Sequence, residues 1–270
     1  MGRFEQAGKK LEQMLADSPN DGHLLYLMAI CLYGSDRNEE ALASCTEALN
    51  NGFSVERCNL LLGRIYVGLK KYVEAEECFL TALRVNPRNA EAIATYGFLM
   101  LKTGHDRKAA QLMDEALRLD PDNETVLHYN FYRHLAADKR DEQLQILKRY
   151  LQTSDSEVRK LVKIGLSDWF RNDYKSAREN FRQAYLLDPT NVDILSILQE
   201  VTRQSHILFL PHRLVAKIGG PVVLWMIFIT LTVILVRLNL DSVTIAVMLI
   251  YLLYVIYSWM APIVYKILVK

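Results

Sequence analysis

Cysteine and histidine are scarce in this chain of 270 residues, and neither follows the spacing of a metal site. No Cys-x-x-Cys pair is present, and no histidine completes a zinc-ligand pattern. The four cysteines are Cys31, Cys45, Cys58 and Cys78. We interpret them as small, reduced residues inside helices. We therefore predict no metal and no cofactor, and His206 and His212 are unsuited to a shared site because Pro211 separates them.

The chain also lacks a large charge of either sign and the local motifs of catalysis. The formal net charge is +1, which gives no bulk attraction for nucleic acid. Residues 63–70 superficially resemble a phosphate-binding loop, but Leu69 separates the glycine from the lysine. His-Glu-x-x-His, a nucleophile elbow and a dinucleotide fingerprint are absent. We predict a protein that is not an enzyme and has no catalytic residues.

A repeat of 34 residues organises the first part of the chain. Pro87 and Pro121 are 34 positions apart, and small and aromatic residues precede each of them at matching offsets. The matching sets are Leu62-Gly63, Tyr66, Ala75, Phe79, Ala82 and Pro87, then Tyr96-Gly97, Met100, Ala109, Met113, Ala116 and Pro121. This pattern resembles the tetratricopeptide repeat (TPR), a helix–turn–helix unit that stacks into a solenoid.

The resemblance implies an all-α fold with about five and a half repeats. Residues 2–17 provide the half repeat, and residues 192–208 resemble a polar end helix, so the solenoid domain covers residues 1–209. Proline ends the second helix where the repeat carries it, at Pro87, Pro121 and Pro189, whereas Phe53 replaces it in the first complete repeat, and the neighbouring Asn or Asp can cap the next helix. The complete repeats are Gly22–Val55, Glu56–Asn89, Ala90–Asn123, Glu124–Glu157 and Val158–Asn191.

The fourth complete repeat departs from the pattern. Phe131, Gln143 and Tyr150 stand where the repeat uses glycine or alanine at close contacts between helices. Bulky side chains at these positions should change the local helix packing. Two interpretations stay open at this stage: a degenerate repeat without functional meaning, or a bend that shapes the binding surface.

Two long apolar runs at the C-terminal end predict a membrane hairpin. Residues 218–236 and 243–265 contain no charged residue, and each is long enough as a helix to cross the hydrocarbon core of ~30 Å. Residues 210–217 form a basic juxtamembrane linker in which Pro211 should break the chain. The alternative is a buried hairpin in a soluble protein, but the solenoid has no second layer to cover it.

Basic residues predict the orientation of this hairpin. Five flank its outer ends and one lies in the loop: Arg203, Arg213, Lys217, Lys266 and Lys270, against Arg237. This bias places both termini in the cytosol, and we expect a bacterial cell membrane. Tyr251 and Tyr254 lie one turn apart on one face of the second span. That face contacts either the first span or another membrane protein.

The resemblance also predicts a partner-binding groove on the concave face, which the first helix of each repeat lines. Aromatic and arginine residues there suit the anchoring of a peptide or a helix. Tyr26, Ile30 and Glu91 do not match the carboxylate clamp of chaperone-binding members, so a heat-shock co-chaperone is not expected. The predicted groove residues are His23, Tyr26, Tyr33, Arg57, Arg64, Phe98, Lys102, His128, Tyr132, Trp169 and Phe170.

Together these features predict a TPR adaptor or scaffold that binds a protein partner at the cytosolic face of a membrane. Its expected partners are a peptide or helix and the lipid bilayer, with no role for nucleic acid. The alternative is a subunit of a membrane-embedded complex in which the hairpin makes the specific contacts. Swapping the hairpin for an unrelated anchor would separate these two possibilities.

Overall fold

A computed structural model describes residues 2–268 of the chain, with side chains from Phe4 onward. Lys270, one of the basic residues used for the predicted orientation, lies outside the described residues. Within residues 2–268 the secondary structure consists of fifteen α-helices, α1 to α15, and one short 3₁₀ turn. The fold is therefore all-α, as the repeat pattern predicts.

Each predicted repeat contains two α-helices that pack against each other, and the repeats stack in sequence order. An aspartate, serine or asparagine side chain caps each first helix: the Oδ1 atom of Asn89, for example, accepts a hydrogen bond from the amide of Ala92 at 2.9 Å. The half-repeat helix α1 spans Gly2–Asp17 and packs on α2. The paired helices are α2 Gly22–Gly34 and α3 Asn38–Asn50, α4 Val55–Gly68 and α5 Tyr72–Val85, α6 Ala90–Lys102 and α7 Asp106–Leu119, α8 Glu124–Ala136 and α9 Arg140–Thr153, α10 Glu157–Phe170 and α11 Tyr174–Leu187.

Small residues allow close helix contacts at the centre of each regular repeat. Gly63 of α4 lies against the ring of Phe79 in α5, so a Cβ atom at this position would collide with that ring. Gly165 of α10 lies against Phe181 of α11, where a Cβ atom would stand 3.0 Å from the ring. Both phenylalanines are fully buried, which explains why the repeat uses glycine opposite an aromatic residue.

The fourth complete repeat packs differently, as its bulky residues predict. Helices α8 and α9 approach each other less closely than the helix pairs of the other complete repeats. Phe131, Gln143 and Tyr150 are all buried between them. The resulting space accommodates the side chain of Lys163, which enters from α10 of the next repeat.

The chain between the solenoid and the apolar helices forms its own structure. Helix α12 spans Val192–Ser205, and a 3₁₀ turn spans Ile207–Phe209. Helix α12 ends before Pro211, and a separate helix α13 spans Leu210–Lys217 with Pro211 in its first turn. Proline is tolerated there because it removes only an amide that has no partner within the helix, so the predicted linker is itself helical.

The last two helices carry the apolar runs. Helix α14 spans Gly220–Arg237 and helix α15 spans Asp241–Leu268, and the two helices pack against each other. Both are long and apolar enough to cross a membrane, by length and composition. Almost none of their residues are buried within the described chain, so little of residues 2–268 covers these surfaces.

Candidate functional site

A cleft of about 550 Å³ lies on the first helices of the early repeats. The ring of Tyr26 stacks on Phe53 with centroids 4.6 Å apart, and His23 stacks on the same ring at 5.5 Å. Arg57 contributes an exposed guanidinium that makes no ion pair within residues 2–268. We call this cleft the first cleft. Its lining comprises His23, Tyr26, Leu27, Ile30, Glu56, Arg57, Leu60, Leu61, Arg64, Asn89 and Glu91.

A second cleft of about 360 Å³ continues along the solenoid. Arg64 lines both clefts, so they form one surface that extends from α2 to α10. Tyr33 and Arg159, which belong to distant repeats, line this cleft together because the solenoid curves. The lining of the second cleft comprises Tyr33, Arg64, Glu124, Thr125, His128, Tyr129 and Arg159.

Arg64 is held in place at the junction of the two clefts. Its Nη2 atom donates a hydrogen bond to the carboxylate of Glu91 at 2.5 Å and approaches the Oγ1 atom of Thr95 at 3.5 Å. The side chain of Arg64 retains about a quarter of its exposure. A guanidinium that is held in place and partly exposed can donate further hydrogen bonds to a carboxylate or carbonyl group of a partner. Little side-chain entropy is lost in doing so, because the side chain is already fixed.

Aromatic rings cover the wall of the second cleft. Phe98 stacks on Tyr129 with centroids 4.6 Å apart, and the amine of Lys102 lies 5.4 Å from the Phe98 centroid. His128 meets Tyr129 and Tyr132 edge-on. Burial, followed by repulsion from Lys163 and Arg159, lowers the pKa of His128 to about 3. His128 is therefore a neutral part of this aromatic wall at physiological pH.

Lys163 occupies an aromatic cage beneath this wall. Its Nζ atom lies 4.1 Å from the ring centroid of Tyr132, 4.9 Å from Phe131 and 5.3 Å from Tyr150. Burial, with repulsion from Arg159, lowers its pKa to about 7 despite the attraction of Glu124. The three rings attract the protonated amine through their π faces. The cage therefore ties the irregular fourth repeat to the fifth.

Glu124 organises the polar side of the second cleft. Its Oε1 atom accepts hydrogen bonds from the hydroxyls of Tyr150 at 3.0 Å and Ser154 at 2.7 Å. The same oxygen lies 3.1 Å from the guanidinium of Arg159. This carboxylate therefore fixes one wall of the cleft from three directions.

Most of the predicted groove residues lie on these two clefts or beside them, but the last two do not. The indole N–H of Trp169 donates to Gln204 of α12 at 2.8 Å, and its ring meets Phe181 edge-on. Phe170 is exposed next to Trp169 and lines neither cleft. Trp169 thus joins the fifth repeat to helix α12, and Tyr132 belongs mainly to the lysine cage.

The sequence analysis did not assign several of the cleft residues to the partner-binding groove. Tyr129 was missed because it occupies the sixth position of its repeat, next to the fifth position that usually meets ligands. Glu56 and Glu124 are each the first residue of a repeat. Glu56 accepts a hydrogen bond from Asn89, and Glu124 accepts one from Ser154, in each case near the end of the same repeat. The recurrence of an acidic residue at this first position is a signal that could have identified them.

The predicted hairpin tyrosines contact residues within the C-terminal region. Tyr251 stacks on Phe228 of the first apolar helix with centroids 4.1 Å apart. Tyr254 approaches the ring of His212 in α13 at 6.3 Å. Beside them lies an apolar cleft of about 400 Å³ that Val215, Leu224, Val247 and neighbouring residues line. Among residues 2–268 no group of three or more His, Cys, Asp or Glu side chains could hold a metal ion.

Comparison with known proteins agrees with this solenoid geometry. Residues 1–64 and 66–129 match the tetratricopeptide repeat family. The match covers 128 of the 270 residues, and the described solenoid has the fold of TPR structures.

Solved structures of low sequence identity share the fold. One is TTC0263, a thermophilic TPR protein in Thermus thermophilus, with 16% identity and a TM-score of 0.59 over 67% of this chain and 98% of that chain. PilW, a type IV pilus biogenesis factor, has 19% identity and a TM-score of 0.52 over 74% of this chain and 90% of that chain. These likenesses establish the solenoid architecture alone.

The similarity to curated proteins is confined to part of their length. The DnaJ homolog subfamily C member 7 homolog of Schizosaccharomyces pombe is 28% identical over 141 residues, which cover 51% of this chain and 24% of that protein. The chain covers 24% or less of each of the curated relatives that it matches here.

Proposed function

We propose that this protein is a non-catalytic adaptor that holds a protein partner at the cytosolic face of a membrane. The observation that carries the proposal is the continuous surface of the two clefts, which combines exposed aromatic rings with a free guanidinium at Arg57 and a fixed one at Arg64. Aromatic and arginine side chains dominate the binding energy of protein interfaces. No reaction is needed to account for this arrangement.

The partner that best fits this surface is a peptide or a helix. Arg64 lines both clefts, and their lining residues together run from α2 to α10. Apolar side chains of a partner would enter against Tyr26 and Ile30, while backbone carbonyl or carboxylate groups would reach Arg57. An extended or helical segment satisfies both requirements along one line.

Membrane attachment through α14 and α15 is the second part of the proposal. Their length, apolar composition and lack of cover within the described chain support two spans. The excess of basic residues outside the hairpin supports cytosolic termini. We place these spans in a bacterial cell membrane as part of the same proposal.

Pull-down of partners from detergent-solubilised native membranes tests the use of the clefts. Arg57→Ala should reduce partner recovery by about tenfold or more, since hot-spot arginines contribute about 2 kcal/mol or more. Arg84→Ala is the matched control, because Arg84 is an exposed arginine on the second helix of the same repeat and lines neither cleft. Equal recovery with both variants would remove Arg57 from the binding surface.

A second candidate function is a subunit of a membrane-embedded complex whose contacts come from the hairpin. The apolar cleft beside Phe228, Tyr251 and Tyr254 favours it, because another membrane helix could insert there. Replacing α14 and α15 with an unrelated two-span anchor distinguishes the candidates. Retained partner recovery supports the adaptor, and lost recovery supports the embedded subunit.

A further inference from the structure

Helix α13 and the 3₁₀ turn before it divide their surface into three distinct faces. The segment runs from Ile207 to Lys217 and ends three residues before the first apolar helix begins at Gly220. With about 100° of rotation per residue, its side chains separate into a packed face, an exposed apolar face and a basic edge.

The packed face contacts helix α15. Phe209 meets the ring of Tyr265 at 5.6 Å, and the Nε2 atom of His212 shares a hydrogen bond with the Oγ atom of Ser258 at 3.2 Å. The hydroxyl of Tyr257 donates to the carbonyl of Leu208. These contacts fix the rotation of the segment about its own axis.

The fixed rotation leaves a continuous apolar stripe uncovered. The stripe consists of Ile207, Leu210, Leu214 and Ile218. Within helix α13, Leu210 and Leu214 are separated by about 40° of rotation, and Ile207 in the 3₁₀ turn and Ile218 at the C-terminal cap extend the row at spacings of three and four. Their side chains are between 44% and 74% exposed. Four large aliphatic side chains in one row would be unfavourable on a surface that faces water.

A basic edge borders the apolar stripe. Lys217 is exposed at this edge, and Arg213 beside it places its guanidinium 5.6 Å from the ring of Tyr174. No acidic residue occurs between Glu200 and Asp241. A surface with an aliphatic stripe, a basic border and no acidic groups complements the headgroup region of an anionic bilayer.

We propose that α13 is an interfacial helix that lies on the membrane, with its apolar stripe in the lipid and Lys217 among anionic headgroups. This inference rests on the proposed insertion of α14 and α15, since continuity with α14 places the stripe at the level of the membrane surface. The cation–π contact of Arg203 in α12 with Phe209, at 5.9 Å, then links the last solenoid helix to the bound segment. The segment would set the orientation of the solenoid relative to the bilayer.

Depth-dependent quenching by brominated lipids tests the proposal with the full chain. The parent carries Cys78→Ala, because Cys78 is the one half-buried cysteine while Cys31, Cys45 and Cys58 are buried. A bimane fluorophore is attached at Leu214→Cys on the stripe or at Ala216→Cys, an exposed position on a different face. The Cys78→Ala parent without an introduced cysteine, treated with the same fluorophore, measures any labelling of the remaining native cysteines. The vesicles contain equal parts of phosphatidylcholine and phosphatidylglycerol, with or without bromine on the phosphatidylcholine chains.

The proposal predicts that brominated lipid removes more than half of the bimane fluorescence at position 214 and little at position 216. Lys217→Gln should reduce the quenching at position 214, and vesicles of phosphatidylcholine alone should do the same. Quenching of Trp225 and Trp259, which lie on the two apolar helices, reports the spans independently.

Each outcome bears on the proposal directly. If the tryptophans are quenched and position 214 is not, the interfacial helix is refuted while the membrane anchor stands. If neither the tryptophans nor position 214 is quenched, both the anchor and the interfacial helix fail. Equal quenching at positions 214 and 216 would also overturn the proposed orientation of the stripe. A stripe that a second copy covers would show bimane self-quenching at position 214 without an effect of bromine.

Discussion

Replacing the caged lysine by methionine should stabilise the solenoid at neutral pH. Lys163 is 2% exposed and makes no ion pair within residues 2–268. Its pKa falls from the ordinary 10.5 to about 7 because of burial. Methionine has a similar length and can fill the same space between the three rings without a charge.

The sign of the pH dependence follows from proton binding. The unfolded chain keeps Lys163 protonated up to about pH 10, whereas the folded chain releases the proton near pH 7. The unfolded state therefore binds more protons than the folded state between these pH values. Below about pH 7 burial of Lys163 lowers the free energy of unfolding by the full penalty, and this penalty decreases as the pH rises above 7. The difference between the pKa of about 7 in the folded chain and the ordinary 10.5 sets an upper limit of roughly 5 kcal/mol on the penalty.

The surrounding rings offset part of this penalty. Cation–π contacts of a desolvated lysine contribute about 0.5–2 kcal/mol each. We therefore expect Lys163→Met to raise the free energy of unfolding by about 2 kcal/mol near neutral pH. The advantage should shrink as the pH rises from about 7 to about 10, because the folded lysine is neutral over this range while the unfolded lysine still binds its proton.

Urea unfolding of the full chain in detergent, followed by helical circular dichroism, measures this difference at both pH values. Lys163→Arg serves as the control, because arginine stays charged throughout and should show no recovery at high pH. A methionine variant that is less stable than the native chain near pH 7 would show that the rings more than offset burial. An advantage of the same size at both pH values would refute the proposed titration.

Two further predictions concern the packing of the solenoid. Gly63→Ala should lower the free energy of unfolding by about 1–3 kcal/mol, because its Cβ atom would collide with Phe79. Gly8→Ala is the matched control: no atom lies within 4 Å of its added Cβ, so the better helix propensity of alanine should stabilise the chain by up to about 1 kcal/mol. Tyr150→Phe should cost about 1–3 kcal/mol, since Glu124 loses one of its donors in a partly buried site. Urea unfolding checks all three variants, and a loss with Gly8→Ala equal to that with Gly63→Ala would contradict the packing argument.

The solenoid could be predicted from the sequence because its packing depends on residue size at fixed intervals. Glycine at position 63 faces Phe79 in the next helix of the same repeat, and this contact recurs as Gly165 against Phe181. The bulky residues of the fourth complete repeat likewise predicted its looser helix pair. The spacing of small and bulky residues within one repeat predicts how its two helices pack, so contacts between distant parts of the chain are not needed for this prediction.

The details of the candidate site depend on contacts between residues far apart in the chain. The cage around Lys163 takes rings from two other helices, and the sequence gives no sign that one amine will reach all three. Trp169 was assigned to the groove from its repeat position, but a hydrogen bond to Gln204 holds it against helix α12. A side chain that two surfaces can bury cannot be assigned from its position in a single repeat.

The sequence predicts an interruption at Pro211 but not the helix that begins there. Proline ends a helix when it falls in the interior, but it begins one when it falls in the first turn. The sequence around Pro211 permits both outcomes, and contacts of His212 with α15 favour the second one. The resulting helix α13 turned a predicted linker into a candidate membrane contact.

Photocrosslinking from inside the clefts, in native membranes, tests the central claim most directly. A benzoylphenylalanine residue replaces Tyr33, which lines the second cleft, or Val73, which is 71% exposed on the second helix of a neighbouring repeat. The account predicts one discrete protein adduct from position 33, its loss on Arg57→Ala, and no such adduct from position 73. Identical adducts from both positions, or an adduct at position 33 that Arg57→Ala leaves unchanged, would contradict binding of the partner in the clefts.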